Sequence, residues 1–399
     1  MHGAAGHLEP TAGMNPSQQR LLFVSGGLSP RGGGIAAAGR LLLGATREWA
    51  AERGIEVRIL TLGGKEDLPA GVHGEAFDGN RRALAGAVWR SQLLDGFRHH
   101  VYDFLGMARI QGVLPRRLQA RYLVYLYGIE CWRPLRGSRR RALAGAAVRL
   151  ACSRHTVERL RRHNPGAPAV VPLHLAVAER AEREGGADAD LLARAGDGFV
   201  LVVGRFVPTE RYKGHDELIG AVATLAASRP QLRLVVVGEG EDRSRLEGLA
   251  RASGIADRVF FTGFVADATL DALYHHCALF AMPSRDEGFG LVYLEAMRAG
   301  RPCLALAGSA AAEIVVDGET GRLVSPGAQS IAVALAELLD DPDRAAAMGE
   351  AGRSRWQREF RRESFAAGLR PHLDSLLFAG AAKEVDGPAL ASAELRSES

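Results

Sequence analysis

The 399 residues are 47% hydrophobic and carry a formal charge of +4 at neutral pH. That length exceeds what one ordinary core organises and suits two domains of common size. No apolar run reaches the ~18 residues of a bilayer span, and four cysteines without CxxC spacing argue against a disulfide framework or zinc site and for a reducing cytoplasm.

Residues 1–19 are rich in Gly, Ala, Pro and Gln, lack the apolar core of a signal peptide, and read as a disordered leader. Strand-length apolar runs then alternate with helical patterns. Residues 20–25 (RLLFVS) form a buried strand, followed by a Gly-rich turn and a helix over about 36–53. Residues 56–62 (EVRILTL) and 122–127 (YLVYLY) are further strands. Residues 138–150 read as a helix, 151–152 as a short strand end, 155–162 as a helix and 170–173 as a closing strand. The alternation implies a doubly wound parallel sheet in an N-terminal domain over 20–177.

Residues 178–197 are charged, Ala-rich and Gly-interrupted, and read as a linker. Its Asp188 and Asp190 form a DxD triplet, but no strand precedes them, so the spacing carries no metal site. The βα pattern restarts over 198–357, with strands at 199–203, 232–237, 259–262, 279–282 and 302–305. Two such units imply an α/β fold of two Rossmann-like domains facing across a cleft at the carboxyl ends of their strands. Helices follow at 331–339 and 342–360. The helix over 358–378 is expected to pack back on the N-terminal domain, and the small-residue tail 379–399 to be disordered.

Charge is uneven. Residues 1–195 carry a net +11 and residues 196–399 a net −7, with ten arginines between Arg133 and Arg162. This stretch reads either as a solvated helical face or as a contact with an anionic surface, the inner face of a membrane included. Scarce aromatics argue against nucleic acid. Only three residues are lysine, which draws attention to Lys213.

The sharpest string is PSRDEGFG running into LVYLEAM, residues 283–297. It passes from a strand through a loop into a helix start, whose free N–H groups form an anion site. Gly288 and Gly290 let a diphosphate or sugar approach the backbone past Phe289 and Leu291. Glu287 at the mouth and Glu295 within the helix can accept hydrogen bonds from sugar hydroxyls. Arg205, at a strand end, and Lys213, eight residues on, can neutralise a leaving diphosphate. Phe264 follows another strand, where the backbone can cap a nucleobase. Gly32, Gly33 and Gly34 follow the first strand and can approach the phosphates from the other side; the loop has no Walker A lysine.

In this order the strings resemble the GT-B retaining glycosyltransferases of family 4, over nearly all of residues 20–378. The resemblance implies a nucleotide-sugar donor, no cofactor, no essential metal and no dedicated catalytic base. It assigns Glu287 and the Gly288–Phe289–Gly290 backbone to the donor sugar and diphosphate, Glu295 to the ribose, and Arg205, Lys213, Gly33 and Gly34 to the phosphates. The segments Glu313–Ile314–Val315 and DGETG (317–321) match another family string. Two positions depart. Tyr127 stands where the family often has a His that reaches the donor sugar, beside Glu130; its hydroxyl can donate a hydrogen bond but carries no positive charge. His174 stands where a Gly is usual. Both changes fall on the acceptor side.

The leading expectation is therefore a sugar transfer to an acceptor that the sequence leaves open. A weakened homologue serving as a partner protein is the alternative, supported by Tyr127 and His174. An epimerase does not account for the Glu287–Glu295 string, and no good GxGxxG with a following acid supports an NAD enzyme.

Overall fold

The computed structural model describes residues 19–29, 32–69, 71–179 and 186–378. All but one residue of the expected leader, the whole tail, Arg31 of the Gly-rich loop and the middle of the linker lie outside the described residues.

Seven parallel strands build the N-terminal sheet: β1 (Arg20–Ser25), β2 (Glu56–Thr61), β3 (Gly74–Ala76), β4 (His99–Tyr102), β5 (Arg121–Leu126), β6 (Val148–Ala151) and β7 (Val171–Pro172). Their order is β3-β2-β1-β4-β5-β6-β7. Helices cover both faces, so β1 and β5 are buried at every residue after the first and read as unbroken apolar runs. The winding reverses between β1 and β4, where Phe23 pairs with Val101. A second parallel sheet holds β8 (Val200–Val203), β9 (Leu234–Val237), β10 (Val259–Gly263), β11 (Leu279–Ala281), β12 (Cys303–Leu306) and β13 (Gly321–Val324), ordered β10-β9-β8-β11-β12-β13. It reverses between β8 and β11, and loops at both switch points open into the cleft between the domains.

Two segments differ from the sequence reading. The helix read over 138–150 is cut short: it spans Gly137–Gly145, and Val148–Ala151 is strand β6. The alternation in AAVRLAC suits a strand flanked by β5, and Gly145 packs so closely that a side chain there would meet Gln119 Oε1 at 2.6 Å. The strands β3 and β4 and the helix Arg81–Leu93 were not foreseen. In β4 the buried His100 is satisfied by Tyr102 Oη and the Phe97 carbonyl, both at 3.0 Å.

The chain returns to its first domain at the end. Helix Arg362–Phe378 lies along helix Gly34–Ala51, where the fully buried Trp49 donates from Nε1 to Asp374 Oδ1 at 2.9 Å. Arg362 and Arg370 pair with Glu48 and Glu52, and Arg121 Nε donates to the Leu376 carbonyl at 2.8 Å. One hydrophobic core runs through both domains, including Tyr127, Leu175, Phe289 and Phe360. Among the described residues no helix is long and apolar enough to cross a membrane.

Candidate functional site

On the C-terminal side, β8 runs out into Gly204 and Arg205, and the 3-10 turn Pro208–Lys213 curls back beside them. Between the two cations sits Glu210, which no motif in the sequence marks. Its Oε1 is 2.7 Å from Arg205 Nη2 and its Oε2 is 3.6 Å from Lys213 Nζ. Lys213 is largely buried, whereas Arg205 is 60% exposed. One carboxylate therefore sets the spacing of two cations while leaving them a net positive charge.

The loop after β11 brings Glu287 to the same place. Its carboxylate faces the N–H groups of Gly288 and Phe289, which favour the charged form. Burial raises its pKa and Lys213 opposes that rise, with a net upward shift. Gly290, at φ +102°, turns the chain into helix Leu291–Arg298, and a Cβ there would meet the Tyr293 ring at 2.5 Å. Leu291 opens that helix and is half-buried. The Phe289 side chain leaves the cleft: its ring is buried 5.5 Å from His174 and 6.3 Å from Phe360.

Glu295 lies one turn further on, where Tyr274 Oη donates to its Oε2 at 3.0 Å. At the end of β10, Phe264 is 58% exposed, and its N–H is held by Glu239 Oε1 at 3.1 Å. An exposed ring and an acid thus mark the end of the site away from Glu287.

The N-terminal domain supplies the opposite wall. Gly33 caps helix Gly34–Ala51, and a Cβ at Gly33 would lie 3.6 Å from Arg205 Nε, so the Gly-rich turn faces that guanidinium directly. Space beside Gly34 is open. Behind the turn, the buried Asp103 accepts from Ser25 Oγ and from Gly26 N–H at 3.2 Å, and Asp67 accepts from Leu28 N–H at 3.3 Å. Neither acid stood out in the sequence.

Three residues assigned to this wall are placed differently from the sequence reading. Tyr127 offers its carbonyl rather than its hydroxyl: a Cβ on Gly288 would lie 1.9 Å from the Tyr127 oxygen, while Oη is buried without a partner. Glu130 folds back so that Oε1 accepts from Tyr127 N–H at 2.6 Å, bracing the turn after β5. His174 lies between Phe289 and Phe360, with Nε2 2.8 Å from Glu313 Oε2. Asp188 is an N-cap, accepting from Leu191 N–H at 3.0 Å. Among the described residues, no group of three or more His, Cys, Asp or Glu is placed to hold a metal ion.

Contacts across the cleft centre on helix Arg154–His163. Its N-cap Ser153 donates from Oγ to the Gly288 carbonyl at 2.7 Å, and Cys152 Sγ lies 3.1 Å from the same oxygen. Glu313, from the other domain, accepts from Arg154 N–H at 2.9 Å and His155 N–H at 2.7 Å. Arg159 pairs with Asp286 and lies over the Trp132 ring. A Ser directly before a helical run is a capping signal; what the cap reaches, 135 residues away, is a property of the fold.

The geometry thus gathers Arg205, Lys213, Glu287 and a helix N-terminus around one space, with Gly33 opposite and Phe264 at the far end. Residues 187–355 match the profile of the family described as Glycosyl transferases group 1. The chain is 39% identical over 182 residues, 44% of its length and 46% of the relative's, to a GDP-mannose-dependent alpha-(1-6)-phosphatidylinositol monomannoside mannosyltransferase of Mycobacterium tuberculosis. It is 40% identical over 159 residues, 38% of its length and 37% of the relative's, to a D-inositol 3-phosphate glycosyltransferase of Corynebacterium aurimucosum. The chain thus spans less than half the length of these curated relatives. Over 91% of its length it superposes on the whole of a sucrose-phosphate synthase from Thermosynechococcus elongatus, with TM-score 0.74 and 24% identity. Over 90% it superposes on the whole of Anabaena HepE in complex with UDP and glucose, with TM-score 0.74 and 18% identity. The fold is GT-B, and the match to the group 1 glycosyl transferases lies in its C-terminal half, over residues 187–355.

Proposed function

We propose that this chain moves a sugar from a nucleoside-diphosphate sugar to an acceptor hydroxyl, with retention of anomeric configuration. The observation that carries the proposal is the convergence of Arg205, Lys213 and the N-terminus of helix Leu291–Arg298 beside Glu287. As the bond from C1 to the phosphate oxygen breaks, negative charge grows on the leaving diphosphate. Two cations and oriented N–H groups in a shielded cleft stabilise that charge more than they stabilise the ground state. The acceptor oxygen bonds to C1 from the same face, and its proton passes to the departing phosphate oxygen. Glu287 holds the sugar by its hydroxyls, and no protein base is needed.

With cationic side chains in this place, the reaction requires no metal and should continue in EDTA. The resemblance of the C-terminal half to GDP-mannose-dependent enzymes makes GDP-mannose the first donor to test. A weakened homologue acting as a partner protein is the second reading, supported by the buried, partnerless Tyr127 hydroxyl where a charged side chain is expected.

A screen of UDP-, GDP-, ADP- and TDP-sugars by thermal shift tests the first reading, since a bound donor raises the melting temperature. One class of donor should stabilise the protein and be turned over. Stabilisation without release of nucleotide under any acceptor, or no stabilisation by any donor, would overturn the first reading and favour the second.

A further inference from the structure

Helix Arg154–His163 belongs to the N-terminal domain, yet its first turn is completed by the other one. Of the N–H groups that a helix start leaves without partners, Arg154 and His155 donate to Glu313, and Thr156 donates to Ser153 Oγ at 3.0 Å. Burial pushes the Glu313 carboxyl up, but His174 and the N–H groups of His155 and Arg154 together hold it below its usual value. It remains an anion at a helix N-terminus, where the helix dipole favours it. Separating the domains would strip two N–H groups and one carboxylate of their partners together.

Ser153 adds a second link. Its hydroxyl accepts from Thr156 N–H and donates to the carbonyl of Gly288, the residue next to Glu287. The N–H groups of Gly288 and Phe289 face the Glu287 carboxylate and favour its charged form. The Gly288–Phe289 peptide is thus gripped by the N-terminal domain at its carbonyl, while its other end, the Phe289 N–H, faces the Glu287 carboxylate.

We propose that Ser153 and Glu313 are positioning residues that set Glu287 as the domains close, with Glu313 latching the helix and Ser153 fixing the loop. This rests on the assignment of Glu287 to the donor sugar. Each acts through the domain interface rather than on the sugar itself, Glu313 through the helix and Ser153 through the loop.

The test separates the cap from the grip. Ser153→Asp keeps an acceptor for Thr156 N–H but has no proton for the Gly288 carbonyl. Ser153→Thr keeps both, and Ser153→Ala covers the event that Asp is not accommodated. Glu313→Gln removes the latching charge. Small-angle scattering of the full chain without ligand should show a larger radius of gyration for Glu313→Gln than for the wild type. With the donor found by the screen, Ser153→Asp, Ser153→Ala and Glu313→Gln should each lose about tenfold in kcat with donor KM unchanged, the effect of one hydrogen bond made in the closed state. Ser153→Thr should restore it. Unchanged scattering for Glu313→Gln, or full kcat in Ser153→Asp, would overturn the proposal. Scattering reads closure whether or not sugar is transferred, so a failure of the functional assignment would be seen separately as absent turnover in the wild type.

Discussion

The carbonyl oxygen of Tyr127 lies 1.9 Å from the point where a Cβ on Gly288 would stand. Both partners are backbone, so neither can swing aside as a side chain would. Gly288→Ala should therefore hold the two domains apart while leaving each sheet intact. A displacement near 1 Å at the reacting groups is worth about a hundredfold in rate. We expect a loss of that size in kcat with an unaltered circular dichroism spectrum. Wild-type turnover in the variant would mean that the domains do not meet here during the reaction.

Lys213 and Glu295 should separate the two ends of the donor. Lys213→Ala removes a cation from the phosphate end, and Glu295→Ala removes an acceptor held by Tyr274. Each should weaken donor binding in calorimetry by about 1.5–3 kcal/mol, the range for hydrogen bonds to charged groups. Glu295→Ala should also weaken binding of the free nucleoside, which Lys213→Ala should leave alone. Equal loss of nucleoside affinity in both would contradict this division.

Asp103 makes stability depend on pH. Burial pushes its carboxyl from 3.8 up to about 7, against the lowering effect of Ser25 and Gly26 N–H. Between those values the folded chain holds a proton that the unfolded chain releases, so stability falls as pH rises, by at most about 1.4 kcal/mol per unit. Asp103→Asn removes the titration. Its urea midpoint should gain on the wild type as pH rises from about 5 to about 7. A gap constant across that window would show that the carboxyl titrates elsewhere.

Contact with an anionic membrane remains a proposal, now narrowed to fewer arginines. Arg159 is committed to Asp286 and Trp132, and Arg149 is half-buried. Arg139, Arg140, Arg141, Arg161 and Arg162 are exposed. Each could contribute about 1 kcal/mol near an anionic bilayer, falling off within a Debye length. Co-sedimentation with phosphatidylserine vesicles should fall with salt and drop when Arg139, Arg140 and Arg141 become Ser. Equal pelleting with neutral vesicles, or none with either, would assign these side chains to solvation.

What could be read from the sequence follows from how local each determinant is. β1, β2 and β5 announce themselves because a strand buried on both faces needs an unbroken apolar run. β4 does not, since HHVY places two histidines in the sheet. Its burial is made tolerable by Phe97, Tyr102 and Gln111, the last of these nine residues beyond Tyr102. The junction at 145–148 was obscured by alanines, which suit a helix until the sheet claims them. In the site, Arg205, Lys213 and Glu287 were visible as motif positions. Glu210 was not, because nothing in its own neighbourhood says that both cations will face it. Ser153 and Glu313 lie 160 residues apart and carry complementary roles that only the closing of two domains reveals. Tyr127 was named for its hydroxyl, whereas the fold uses its carbonyl, a group every residue has.

Residues 362–378 are synthesised after the entire second sheet, yet they cover the face of helix Gly34–Ala51 that carries Trp49. During translation the first sheet must therefore emerge with that face bare. The indole meets Asp374 only once the second domain has left the ribosome. Domains commonly fold in the order of their synthesis, and exposed apolar surface in such intermediates invites aggregation. Here the first domain to begin is the last to be finished, and a nascent chain stalled after residue 357 would present its partly built side to whatever chaperone is at hand.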